Sequence, residues 1–195
     1  MTTSSSSGAV RFLAGAATVL LVLGSAVGLF ILISGAAGKG PGDVAIHQQV
    51  DGSHLRGLPS AVTRPTAVNV TVRLRHASAH QRRIAAARDF SVIPIVLAFL
   101  WFGRAILLSV RDGDPFTEAN VRRLRTIGFL CLIGVPLTTF FGSFFNSALA
   151  DSTPLGLGSP VNFSTAGPFA SIGVFALAEV FAQGVRLRQD VEGTV

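Results

Sequence analysis

Charge is scarce in this sequence. Asp, Glu, Lys and Arg together make up 13% of its 195 residues, against roughly 25% in an ordinary soluble domain. Cysteine is nearly absent. Cys131 stands alone inside an apolar run, which excludes an intrachain disulfide and a thiolate metal cluster and suits a small packing residue. Lys39 is the only lysine, so the formal net charge of +6 comes almost wholly from arginine. No basic recognition helix or aromatic platform accompanies those arginines, which argues against direct binding of nucleic acid. Their place beside the apolar runs suits anionic lipid headgroups. Also missing are a phosphate-cradling loop, a zincin helix, a Gly-x-Ser-x-Gly elbow and paired carboxylates. No cofactor is expected, and no enzyme.

What is abundant is apolar. Such residues reach 49%, with a mean hydropathy of +0.57, and they fall in blocks rather than in an amphipathic period. Blocks of this length are what a bilayer core demands. The expected fold is an all-α integral membrane protein, a bundle of four transmembrane helices with a small β-containing outer loop. Residues 1–11 form a polar, serine-rich tail expected to be disordered. The spans are expected at 12–34, 89–110, 127–150 and 167–185. The first would cover roughly 35 Å at 1.5 Å per residue. Its length exceeds the apolar region of a signal peptide, which argues for an uncleaved span over a cleaved leader.

Residues 35–88 make the long first loop. Val68 to Leu74 alternates as a strand does, and Asp43 to Val50 is a weaker strand candidate. Ala77 to Arg88 is helix-forming and is expected to run straight into the second span. Pro136 predicts a kink in the third.

Orientation follows from arginine. The connector, 111–126, carries Arg111, Arg122, Arg123 and Arg125, and the hairpin loop, 151–166, carries none. The positive-inside rule therefore puts the connector and the tail, 186–195, in the cytoplasm, and by alternation the N-terminus as well. The first loop disagrees, with Lys39, Arg56, Arg64, Arg73, Arg75, Arg82, Arg83 and Arg88. It is long enough to translocate as a small domain, where the rule weakens.

Arg104 and Glu179 are the strongly ionisable residues inside spans, and each lies seven residues before an arginine of the cytoplasmic collar. Equal depth allows an ion pair between the second and fourth spans. The alternative is that Arg104 snorkels to the headgroups while Glu179 is protonated or hydrogen-bonded. His76 and His80 have a spacing that would put both imidazoles on one helix face for a metal, or they are ordinary exposed histidines. In the connector, Gly113-Asp114-Pro115 reads as a turn, Thr117 as an N-cap and Glu118 as a partner of the helix dipole. Val121, Leu124 and Gly128 share one stripe. Phe116 would anchor this interfacial helix in the headgroups. In the first span, Gly24 to Gly28 fits a small-xxx-small packing pattern.

The connector Gly113-Asp114-Pro115-Phe116-Thr117-Glu118-Ala119-Asn120-Val121-Arg122-Arg123-Leu124-Arg125-Thr126-Ile127-Gly128 resembles the signature of the bacterial membrane-protein family called domain of unknown function 2975. Ala176 to Phe181, followed by Gly184 to Asp190, is similar to the closing segment of that family, as is the terminal Thr194-Val195. The resemblance covers roughly residues 80 to 195. It implies four spans, an uncharacterised role and frequent gene neighbourhood with a small helix-turn-helix regulator, and it implies no catalytic residue.

Two readings follow. The favoured one is a non-enzymatic membrane regulator or sensor that binds a cytoplasmic partner through its connector and tail. The alternative is a transporter, or an accessory subunit of one, working through Arg104 and Glu179. A metal- or pH-responsive outer loop is a third.

Overall fold

A computed structural model of the chain describes residues 4–39, 42–51, 67–153 and 164–193. The order is α1 (Ser4–Ala36), β1 (Val44–Asp51), β2 (Ala67–Leu74), α2 (Ala79–Phe90), α3 (Ile93–Arg111), α4 (Glu118–Phe129), one π turn (Leu130–Gly134), α5 (Val135–Asp151) and α6 (Ala166–Glu192). Among the described residues, four helical stretches are long and apolar enough to cross a membrane: Gly8–Ala36, Ala79–Arg111, Glu118–Asp151 and Ala166–Val191. Their large apolar side chains face outward, Phe12 at 75% exposure and Phe169 at 73%. A soluble monomer does not expose apolar surface on that scale. Helix length and outward composition together mark a multi-pass membrane protein.

The helices extend beyond the apolar blocks. α1 begins at Ser4, so residues 4–11, expected to be disordered, are helical. Once a span is nucleated, each added residue gains a backbone hydrogen bond without a new nucleus.

The second stretch opens just ahead of Pro94. α2 ends at Phe90 and α3 starts at Ile93. Pro94 has no N–H for the Phe90 carbonyl. The Ser91 N–H turns back to Ala87 O and Arg88 O, and Ser91 Oγ donates to Arg88 O at 2.6 Å. Ser91 and Val92 keep right-handed helical angles, so the ladder opens without the run ending. In the third stretch the disturbance expected at Pro136 takes the form of the single π turn, closed by the Val135 N–H on Leu130 O.

The chain divides into two compact units. One comprises residues 29–91 and 139–163. Its β1 and β2 pair antiparallel, with Val44 opposite Leu74, Ile46 opposite Val72 and His47 opposite Thr71. The period of two sends Val44 and Ile46 into a small core with Ala77, Ala85, Leu149 and Ala150. On the other face His47 Nδ1 lies 3.1 Å from Thr71 Oγ1. The edge of β1 away from β2 is occupied by side chains. Asn146 Oδ1 accepts the His47 N–H at 3.1 Å and its Nδ2 donates to His47 O, while Arg88 Nη1 donates to Ala45 O at 2.7 Å. α2 is held by a capping box: Ser78 Oγ accepts from Gln81 N, and Gln81 Oε1 accepts from Ser78 N. α1 ends in a Schellman motif whose left-handed residue is Gly38, and Arg82 Nε donates to the Gly38 carbonyl at 2.7 Å.

The other unit comprises residues 1–28, 92–138 and 164–195. Here α4 packs along α6, and α3 packs on α4. Val121, Leu124 and Gly128 are buried, as the stripe in the connector predicts. Val121 meets Ala182 and Val185. The Phe175 ring fills the space a side chain at Gly128 would take, and it meets Phe129 edge-on at 5.2 Å. Gly167, in the first turn of α6, lies against the Cys131 carbonyl and Val135. α1 touches α3 where Leu97 closes on Gly24, one of the small residues of the packing pattern.

Candidate functional site

The connector is built as a latch around one buried amide. α3 ends in a Schellman motif, with Gly113 left-handed at φ +83°, Gly113 N–H on Val110 O and Asp114 N–H on Ser109 O. Any residue with a Cβ is strained in that conformation. Ser109 Oγ donates back to Asp114 O at 2.5 Å, closing a ring around the turn. Thr117 caps α4 as expected, accepting the Asn120 N–H at 3.2 Å. Asn120 itself is fully buried. Its Nδ2 donates to Ser109 Oγ and to Pro115 O, both at 2.8 Å, and its Oδ1 accepts from Arg123 Nη1 at 2.7 Å. Arg123 Nη1 also reaches Ala105 O at 3.3 Å. One side chain thus ties the end of α3, the turn and α4 together.

α6 closes the latch. Phe116 packs on Phe181 with centroids 5.3 Å apart, and its ring covers Gly184. Asp114 pairs with Arg188. Phe116 packs on α6 because the missing side chain at Gly184 leaves a seat for the ring, and it stays 42% exposed.

Arg104 and Glu179 do not pair. Arg104 Nε donates to Thr18 Oγ1 at 2.6 Å, and Thr18 in turn donates to Ala14 O. Glu179 lies between Arg125 Nη2 at 3.7 Å and Arg186 Nη2 at 3.9 Å. The physical reason is adjacency: α4, not α3, packs along α6 and brings Arg125 to the carboxylate. These contacts are long and about half exposed. Glu179 lies within a span, where a weakly held charge is costly, so Glu179→Gln should leave the protein as stable or more stable, read from thermal unfolding in a mild detergent. A clear loss of stability would show that the carboxylate is strongly held by its arginines.

Arg122 is exposed on α4, and its carbonyl accepts from Thr126 Oγ1. His76 and His80 do not share a helix face. α2 starts only at Ala79 behind its Ser78 cap, leaving His76 in a turn with φ +58°. Among the described residues no group of three or more His, Cys, Asp or Glu comes together.

Local sequence pattern gives roles to Asp114, Pro115, Phe116, Thr117, Arg122, Arg123 and Arg125 but none to Asn120, Ser109, Phe181 or Gly184. A signal for Asn120 was available. It lies one turn before Leu124 on the stripe that packs inward, and a polar residue on a buried stripe needs partners.

No curated protein and no solved structure matches the chain. A family model does, and the match covers more than the resemblance in the connector and closing segment: it begins near β2 and leaves α1 and β1 outside. Matched over residues 65–195 by the family described as protein of unknown function (DUF2975), the chain belongs to that family.

Proposed function

We propose that this is a non-enzymatic regulator or sensor of the bacterial plasma membrane, with both termini in the cytoplasm, that acts through a cytoplasmic protein partner. The orientation rests on four connector arginines against none in the hairpin loop. One observation carries the partner. α6 runs on past Arg186, latched to the connector, and there turns Leu187 and Val191 outward, 67% and 68% exposed and one helical turn apart. Charged and polar neighbours Arg188, Gln189 and Asp190 flank them. An apolar pair on a rigid charged helix is a docking feature. The family resemblance suggests a small helix-turn-helix protein as its occupant.

The transporter reading rested on an Arg104–Glu179 pair and loses its basis with it. To test the regulator reading, a photo-crosslinker is placed at Leu187 in cells. A discrete protein adduct, lost when Val191 is changed to Asp, together with altered transcription after deletion, is expected. Lipid adducts alone with unchanged transcription would sink it. A reporter fused after Val195 that is active only outside the cell would overturn the orientation.

A further inference from the structure

A groove of about 500 Å³ opens beside the connector, within the unit that holds α3 and α4. Trp101, Phe102 and Leu108 supply apolar wall, and Arg104 and Arg123 supply charge. Asp112 and Asp114 also line it, but each is taken, by Arg111 and Arg188. Among the described residues neither Arg104 nor Arg123 meets a carboxylate. Each spends one nitrogen on neutral acceptors: Arg104 Nε on Thr18 Oγ1, and Arg123 Nη1 on Ala105 O and Asn120 Oδ1. Two guanidiniums at the edge of a low-dielectric region, without an anion, are costly. Their fork of donors matches the oxygens of a phosphate.

We propose that this groove binds the phosphate headgroup of an anionic phospholipid, held between Arg104 and Arg123 with its glycerol and upper chains against Trp101 and Phe102. Two observations favour lipid over free phosphate. The groove is much larger than a lone phosphate, and its apolar side opens on the outward face of a span, where Trp101 is 62% exposed. Trp101 lies about 15 Å inside the span from Arg111 at 1.5 Å per residue, the depth of the acyl chains that follow a headgroup held at Arg104. The site lies beside the latch, so an occupied groove would bear on the connector that the proposed regulator uses. The lipid site itself rests only on the chain being embedded in a bilayer.

Trp101 is the only tryptophan, so its fluorescence reports on this groove alone. The whole protein is placed in phosphatidylcholine nanodiscs containing either brominated phosphatidylglycerol or brominated phosphatidylcholine. Phosphatidylglycerol should quench Trp101 at about fivefold lower mole fraction. Arg104→Gln should abolish that preference, Arg104→Lys should keep part of it, and Arg122→Gln, on the exposed face of α4, should leave it intact. Equal quenching by both lipids would overturn the headgroup site while leaving the membrane reading standing. Quenching by neither would overturn both. Loss of preference in Arg122→Gln as large as in Arg104→Gln would reduce the effect to general basic charge. Displacement of the brominated phosphatidylglycerol by millimolar inorganic phosphate would show a free-anion site and overturn the lipid assignment.

Discussion

Asn120→Ala should lower the stability of the protein by about 2–4 kcal/mol, the sum of lost buried hydrogen bonds and a small cavity. Its side chain makes three hydrogen bonds, to Ser109, Pro115 and Arg123, in a place with no exposure. Water cannot replace them there without reopening the turn. Removal leaves the Pro115 carbonyl with only the Thr117 N–H, at 3.2 Å, and Arg123 with Ala105 O as its remaining acceptor at that nitrogen. Asn120→Leu separates the two contributions, because it keeps the volume and loses only the polar partners. It should remain destabilised by most of the same amount. Denaturant titration in detergent micelles measures both variants, and wild-type stability in Asn120→Leu would show that the amide network contributes little.

The second large effect is expected at Gly167. A methyl group there would enter the Cys131 carbonyl oxygen and come within 2.8 Å of Val135 Cβ. The first of these obstacles is backbone, in the π turn, and cannot rotate away. Gly167→Ala should cost about 3 kcal/mol or more, at the upper end of overpacking penalties. Gly173→Ala on the same helix is the control, because nothing lies within 4 Å of a Cβ at that position. It should be neutral, or more stable by up to about 1 kcal/mol through helix propensity. Thermal unfolding of the pair reads the difference. Equal melting temperatures would mean that the α6 contact at the π turn yields freely.

Much of the fold was legible because bilayer-length apolar blocks leave few alternatives. The four stretches, the strand near Val68 to Leu74 and the Thr117 cap all come from local patterns that survive in the folded chain. The tertiary facts did not. Equal depth made Arg104 and Glu179 look like partners, but depth says nothing about which helices are neighbours. That depended on the Phe116 ring over Gly184 and on α4 lying along α6, contacts between segments far apart in sequence. His76 failed for a local reason: Ser78 and Gln81 form the capping box that starts α2, and the box leaves no helix before it for a histidine pair to share. Asn120 was hidden inside a motif whose charged residues drew the eye, although its place on the Val121–Leu124 side of α4 marked it as buried.

The occupied margin of β1 has one more consequence. A two-stranded ribbon with an open side offers its bare N–H and C=O groups to any other extended chain, including a second copy crowded alongside in the same bilayer. Asn146 imitates a peptide group at His47, and Arg88 takes the neighbouring carbonyl at Ala45. The ribbon is thereby stopped at two strands by side chains, a guard against strand-to-strand oligomerisation that costs the protein no third strand.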